Sequence, residues 1–380
     1  MDTIKLTPQV LEWAAAQIGS TLSELAQGIS KRAAERIVGG ELTTPQALKF
    51  AKIVGVPFGY LFLDKPPPAR KLGVADFRTL PDTHPLGRDF FEVFDDIEYK
   101  QAWYREYLQS LGAERLAFVG KFRGKPPAAR TVAADMRQVL GLAEGAVAVL
   151  RNADEHFALL ASKCEEAGVL VFKNGVVGNS TRRHLSVQEF RGFALSDPLA
   201  PAVFINGADA PAAWVFTLAH ELAHIWLGES GVSDAAPQAS NPQERLCNEI
   251  AAEFLVPAEA LRRLWAGAEA QSDADRIELG RRRFKVSSLV IARRALVLEM
   301  IPHRLYAVIY ESAKKSKKGS GEGGGDFYRT LATRNSKKFS QRVASLAVSG
   351  NMTLREAGRL LNTNPNNVVK FHVKQNAIPV

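Results

Sequence analysis

The sequence predicts an α+β protein that is mostly helical and has one small mixed β-sheet. Three short apolar runs, at 169–172, 190–195 and 202–205, lie among segments of helical periodicity and predict buried strands. Further helical segments follow the strands, which is typical of α+β proteins and not of a repeated β-α-β unit. Consecutive prolines at 66–68 and a Lys/Gly-rich stretch at 314–325 separate this central part from short helical segments at both ends.

These breaks predict four parts. Residues 1–68 form a helical module, and residues 69–125 form a helical connector. Residues 126–300 form the central domain that contains the sheet. Residues 301–380 form a basic helical module, in which the stretch 314–325 is too rich in glycine and charge to be buried and is expected to be a mobile loop.

Composition excludes several classes of protein. An apolar fraction of 46% with 23% charged residues is ordinary for a globular domain, and no window resembles a membrane-spanning helix. The start of the chain, MDTIKLTPQV, does not resemble a signal peptide, so we expect a cytoplasmic protein without membrane contact. Two cysteines, Cys164 and Cys247, are too few for a disulfide framework or an all-cysteine zinc site.

The basic charge is concentrated near the C-terminus. The whole chain has a net charge of +9, and residues 301–380 alone carry 14 basic and 4 acidic residues. Such asymmetry predicts an anionic partner for this segment, although a solvated tail would show the same charge.

The first module reads as five short helices. Thr21 with Glu24 three residues later has the spacing of a capping box at the second helix. The third helix is expected over Ser30–Val38, and a fourth opens at Thr44 with Leu48, Ala51, Ile53 and Val54 as its apolar residues.

The candidates for contact with DNA in this first module are Lys31, Arg32 and Arg36, all on the third helix. A reader of DNA normally has a larger basic stripe for the phosphates, so a docking module remains an equal alternative.

A candidate metal site lies on the segment 215–228, VFTLAHELAHIWLG. Its apolar residues recur at spacings of three and four, which predicts a half-buried helix that stops at Gly228. His220 and His224 are four residues apart and therefore lie one above the other on the helix, where both can bind one ion. Glu221 is rotated by about 100° from His220 and is placed to activate a water on the metal.

A catalytic zinc site needs a third protein ligand. No third histidine follows on this helix, so we expect a glutamate from the segment 242–257, PQERLCNEIAAEFLVP. Glu244 is the first candidate, Glu249 the second, and Glu253 is expected to be solvated. Asn248, four residues after Glu244, could orient a ligand from outside the first coordination sphere.

Longer segments carry a family resemblance. RGFALSD, AVFINGADAPAAWVFTLAHELAHIWLG and ERLCNEIAAEFLVP resemble the ImmA/IrrE metallopeptidases. The resemblance implies a zincin-like helical core, zinc bound by His220, His224 and Glu244, and Glu221 as the general base. Residues 4–68 resemble the XRE-type (Cro-like) helix-turn-helix domain that precedes some of these peptidases, although the turn before the third helix is shortened.

The family resemblance implies a function. It indicates a zinc-dependent endopeptidase that cleaves or inactivates a partner transcriptional repressor, antitoxin or toxin, with Glu221 activating a zinc-bound water. The alternative is a DNA-binding regulator or antitoxin-like protein whose metal site is not catalytic. DNA could be bound by the first module or by the basic C-terminal module.

The C-terminal module predicts three further short helices. Thr353 with Glu356 repeats the capping-box spacing, and Asn364-Pro365 begins the last helix. The arrangement resembles a helix-turn-helix, with a docking module as the alternative. The basic residues that could contact phosphate are Lys337, Lys338, Arg342, Arg355, Arg359 and Lys370.

Overall fold

A computed structural model of the chain describes residues 3–68, 72–78, 86–124, 127–233, 241–315 and 326–376. These residues form many helices and a small mixed sheet, so the predicted α+β class is confirmed. None of the helices in these ranges has the length and apolarity needed to cross a membrane. Of the predicted mobile loop, 314–315 end a helix and 316–325 lie outside the described residues.

The chain divides into two compact units. The first consists of residues 1–73 and 84–92, and the second of residues 74–83 and 93–380. In the first unit, strands β1 (Thr3–Lys5) and β2 (Glu41–Thr43) pair antiparallel. Its helices are α1 (Pro8–Ala16), α2 (Leu22–Ile29), α3 (Ala34–Val38) and α4 (Thr44–Val54), with 3-10 turns at Lys31–Ala33 and Phe58–Phe62.

The first unit confirms some local predictions and corrects others: it contains two short strands, β1 and β2, where the sequence indicated only helices. Thr21 and Glu24 form the predicted capping box, each binding the other's backbone amide. The predicted helix Ser30–Val38 is wrong in extent, because Ser30 is extended and the chain makes a 3-10 turn before the five residues of α3. On α4, Leu48 and Ile53 are exposed, and the buried side chains are Ala47, Phe50, Ala51 and Val54.

The second unit contains a five-stranded sheet in the order β3-β7-β5-β6-β4. β4 runs parallel to β6, β5 is antiparallel to both β6 and β7, and β3 runs parallel to β7. The strands are β3 (Ala75–Asp76), β4 (Leu170–Asn174), β5 (Gly192–Leu195), β6 (Ala202–Asn206) and β7 (Gly231–Ser233).

The three predicted strands are present, but the sequence indicated neither β7 nor β3. The expectation that only helices follow β6 is therefore wrong, and the connector 69–125 contains a strand. Both additional strands have at most three residues, which is too short for a two-residue alternation to be recognised.

Successive side chains of the central strands point to opposite faces of the sheet. Val203 and Ile205 of β6 pack in one core with Leu218 and Leu222 of the helix that covers this face. On the other face, Phe204 stacks on Phe193 with ring centroids 5.0 Å apart. The sheet is thus covered on both sides, which explains its continuous apolar strands.

The remaining helices belong to the second unit, apart from the first turns of α5. They are α5 (Arg88–Ser110), α6 (Ala129–Val139), α7 (Ala153–Ala167), α8 (Pro211–Leu227), α9 (Pro242–Leu255), α10 (Ala258–Ala266), α11 (Asp273–Phe284), α12 (Ser288–Val297), α13 (His303–Lys315), α14 (Phe327–Arg334), α15 (Lys337–Val348), α16 (Leu354–Leu360) and α17 (Pro365–Asn376).

Candidate metal centre

Helix α8 carries the two histidines through the core of the second unit. Pro211 stands in its first turn, and Gly228 ends it in a left-handed conformation with φ of 77°. A side chain on Gly228 would collide with Gly120 of a neighbouring loop, so this end of the helix requires glycine. The packing of α8 against β5, β6 and α9 buries both His220 and His224 completely.

Helix α9 brings a carboxylate to the two imidazoles. Glu244 lies in its first turn and is completely buried. One carboxylate oxygen of Glu244 is 3.1 Å from Nε2 of His220, and the other is 3.0 Å from Nε2 of His224. The two Nε2 atoms are 3.2 Å apart. Three donor atoms from two helices therefore converge on one point.

The donor set fits a zinc ion. Two imidazoles and one carboxylate are the ligands of many catalytic zinc sites, and in a tetrahedral site with bonds of about 2.1 Å the ligand atoms lie about 3.4 Å apart. Within the described part of the chain, both oxygens of Glu244 are buried and face the Nε2 atoms of the two histidines, with no other donor in reach. A buried carboxylate left in this way needs a cation to compensate its lost hydration. No other group of three such side chains was found among the described residues.

Neighbouring side chains hold the ligands in place. Nδ1 of His220 lies 3.0 Å from Oδ1 of Asn248, so the amide oxygen can accept the ring N–H and leave Nε2 free to bind the ion. The ring of Phe77 stacks on that of His224, with centroids 5.0 Å apart and an angle of 8° between the planes. Sγ of Cys247 lies 3.6 Å from Nδ1 of His224, on the side away from Glu244.

Glu221 is buried beside the ligands but is not one of them. Ser233 of β7 donates a hydrogen bond to its Oε1, and no described donor reaches Oε2. Gly192 of β5 passes so close that a Cβ there would lie 2.9 Å from Oε1 of Glu221. Burial raises the pKa of Glu221 above 4.5, although the two histidines oppose this shift.

The electrostatics of the three donors are coupled. Burial would raise the pKa of Glu244, but the adjacent His220 and His224 overcome it and lower this pKa to about 2. Burial would lower the pKa of His224, but contacts with Cys247, Glu229 and Glu244 raise it well above 6.5. In the absence of a metal, a proton on His224 therefore compensates the charge of Glu244.

The other candidate ligands lie away from this centre. Glu249 is exposed on α9 and is not part of the cluster. The expectation that Glu253 is solvated is wrong, because this carboxylate forms an ion pair with Arg294 and is mostly buried. In the first unit, the candidate DNA contacts are all exposed: Lys31, Arg32 and Arg36.

Sequence reasoning missed three residues that support the centre. Ser233, Gly192 and Phe77 come from β7, β5 and the residue after β3, which are separate strands outside α8. Phe77 also covers Gly231, where any side chain would meet its ring. The motif R-G-F at 191–193 was noted only as part of a resemblance, and the close approach of Gly192 to Glu221 gives it a physical reason.

Two segments match known family models. Residues 335–374 match a domain of unknown function, DUF8813. Searches of curated proteins and of solved structures found no match to this chain. Residues 164–296, about a third of the chain, contain all three donors and Glu221. By the match of a family model, this segment is similar to the IrrE N-terminal-like domain of the Peptidase_M78 metallopeptidases.

Proposed function

We propose that this protein is a zinc-dependent endopeptidase that cleaves or inactivates a partner regulatory protein. The observation that carries the proposal is the buried set of His220, His224 and Glu244, with Glu221 next to His220 on the same helix but outside the donor set. A purely structural zinc site closes its coordination with protein ligands and has no use for an adjacent free carboxylate. The similarity of residues 164–296 to a metallopeptidase domain supports the same conclusion.

A bound zinc, Glu221 and Ser233 would have different roles in peptide hydrolysis. A bound zinc would supply Lewis acidity, lowering the pKa of water to about 7 and polarising the peptide carbonyl. Glu221 takes a proton from the attacking water and passes it to the leaving amine. Its raised pKa suits this task, because a general base works best when its pKa approaches the working pH. Ser233 holds one oxygen of Glu221, so the other remains available.

Access to the centre requires a movement. His220, Glu221, His224 and Glu244 have no exposed surface, and Phe77 lies against His224. We infer that the segment 74–78 separates from β7 when a peptide binds. Only two residues of β3 pair with β7, so little backbone hydrogen bonding is lost. The freed edge of β7 could then pair with the extended substrate.

The class of partner comes from the family resemblance. ImmA/IrrE metallopeptidases inactivate transcriptional repressors, and some are encoded beside toxins. We therefore propose a repressor, antitoxin or toxin as the substrate, in the cytoplasm.

The test is the substitution Glu221→Gln. Glutamine keeps the shape and can still accept the hydrogen bond from Ser233, but it cannot take the proton. We expect the variant to retain zinc and to cleave the partner at least about 10²-fold more slowly. The assay co-expresses each variant with a candidate repressor, antitoxin or toxin and follows the intact candidate on a gel. Glu249→Gln is the matched control, since it makes the same change at an exposed position of α9.

A second function would follow from the opposite result. If Glu221→Gln removes the partner's activity as well as the wild type does, the protein acts by binding and not by hydrolysis. The alternative of a DNA-binding regulator with a non-catalytic metal site would then be preferred. The C-terminal helices bear on the DNA-binding part of that alternative only, and they are compatible with a catalytic metal site as well.

A further inference from the structure

Helices α16 and α17 are joined by a turn of a specific kind. Residues 361–364 connect them, and Asn362 has a left-handed backbone with φ of 49°. Gly358 of α16 lies against this turn, because a Cβ there would be 2.8 Å from the carbonyl oxygen of Thr363. A small residue on the first helix and a left-handed residue in the turn let the second helix cross close to the first, as in a helix-turn-helix.

A shared core fixes the angle between these helices. Helix α15 packs against both α16 and α17, and the latter two pack on each other. The inward side chains are completely buried: Phe339, Val343, Ala357, Leu361, Val368 and Phe371. Phe339 also contacts Trp103 of α5 and Phe172 of β4, so these helices are fixed to the rest of the second unit.

The outer face of α17 remains exposed. Asn366, Val369, Lys370 and Val373 recur at spacings of three, one and three, so they share one face of the helix. Val369 is 38% exposed and Val373 is 60% exposed. Asn364, just before the helix, is exposed as well.

These side chains have the chemistry of a helix that reads bases. Asparagine pairs with adenine in the major groove, lysine with guanine or phosphate, and a small apolar side chain contacts the thymine methyl group. In a helix-turn-helix, the N-terminal part of the second helix supplies these contacts. Asn364 and Asn366 stand at that end of α17.

The charge of the module suits a polyanion. Residues 335–374 carry seven basic residues and one acidic residue, Glu356. Arg355 is exposed in the first turn of α16, the helix that crosses the phosphate backbone in such a motif. Arg342 and Arg359 lie over the rings of Tyr107 and Tyr99 but remain exposed.

We propose that residues 336–376 form a helix-turn-helix module that binds duplex DNA, with α17 in the major groove and Arg355 at a phosphate. The proposal goes beyond the peptidase function and is independent of it. Duplex RNA fits less well, because its major groove is too narrow to admit a helix. Lysine is depleted at protein–protein interfaces, so the basic charge of this module fits a docked protein less well.

The experiment uses the full-length protein with fluorescent 30-bp DNA duplexes. Selection from a random pool yields a preferred sequence, which is compared with a mixed sequence at several salt concentrations. We expect affinity to fall steeply with salt. Asn366→Ala should weaken the preference for the selected sequence by about 5- to 150-fold. Arg355→Ala should lower the affinity for both duplexes by a similar factor. It should also reduce the slope of log affinity against log salt concentration by about one.

Two controls keep the test decisive. Arg130→Ala removes a charge at a side chain that is 74% exposed on α6, and should leave DNA binding unchanged. Glu221→Gln should also bind DNA as the wild type does, since it lies outside the module. The proposal is overturned if full-length protein shows no salt-dependent binding of duplex DNA. It is equally overturned if Arg36→Ala in the first unit abolishes binding while Asn366→Ala and Arg355→Ala do not.

Discussion

The metal centre and the outer face of α17 are built on opposite principles. At the candidate metal centre the three donors and Glu221 are completely buried, and both histidines contact a supporting side chain, as His220 contacts Asn248. On α17 the side chains that we propose to contact DNA are exposed, and only the opposite face is packed. A substitution at the centre should therefore change stability, metal affinity and activity together. A substitution on α17 should change one binding reaction and leave the fold intact.

The largest effect is expected for Glu244→Ala. It removes a ligand and one of the two carboxylates beside His224, so the metal-free protein should lose stability, by at most about 3–5 kcal/mol because the imidazole can release its proton. Zinc content, by elemental analysis, and cleavage should be lost together, and the melting temperature should fall even in chelator.

The matching control for Glu244→Ala is DNA binding by the C-terminal module, measured well below the melting temperature. It should persist, because Glu244 belongs to α9 and not to the helices that are proposed to bind DNA. Full zinc content in the Glu244→Ala protein would show that this carboxylate is not a ligand. The proposed difference between a buried metal centre and the exposed face of α17 would then be wrong.

A smaller effect is expected for Asn248→Ala. The substitution removes the oxygen that accepts the N–H of His220, so the ring loses its fixed tautomer and orientation. Zinc affinity, measured by competition with a chromogenic chelator, should fall by about 10- to 100-fold. Asn248→Asp retains an acceptor oxygen at the same place and should restore most of the affinity. Equal affinities in all three proteins would mean that Asn248 does not orient the ligand.

The smallest expected effect is the number of protons that the protein releases when it binds zinc. The raised pKa of His224 keeps it protonated at neutral pH in the metal-free protein, while the lowered pKa of Glu244 keeps that carboxylate ionised. Zinc requires a neutral imidazole, so binding at pH 7 should release about one proton from His224. Titration calorimetry in two buffers of different ionisation enthalpy measures this number. A binding heat that is the same in both buffers would show that His224 is already neutral.

The same shifts set the pH dependence of the metal-free fold. The raised pKa of His224 contributes stability that is complete below about 6.5 and is lost as the pH rises through its folded value. The lowered pKa of Glu244 contributes stability that is complete above about 4.5 and is lost as the pH falls towards 2. Together, these two groups favour the fold most in mildly acidic solution.

The two terminal helical modules show where sequence patterns stop being sufficient. Both were predicted to resemble a helix-turn-helix from caps and apolar spacing. In the C-terminal module, the left-handed Asn362 and the small Gly358 make the tight turn. In the first unit, Ser30 at the corresponding turn is extended with φ of −161°, and α3 has only five residues. The XRE-type assignment of that unit stays a prediction, as do the four predicted domain boundaries.

Local chemistry in the sequence determined much of this protein. The spacing of His220 and His224 places them on one helix face whatever surrounds them, because helical geometry depends only on neighbouring residues. The caps at Thr21 and Thr353 and the stop at Gly228 are equally local, and all three are present. The apolar runs that became β4, β5 and β6 were recognisable because both faces of these strands are buried.

Only the tertiary structure decided which groups complete the centre. Glu244 and Glu249 are both on α9, and the packing of α9 on α8 buries the first and exposes the second. Ser233, Gly192 and Phe77 reach the centre from three separate strands, which the pairing of the sheet brings beside α8. No periodicity encodes such contacts, because they depend on how whole elements pack and not on the spacing of residues within one element.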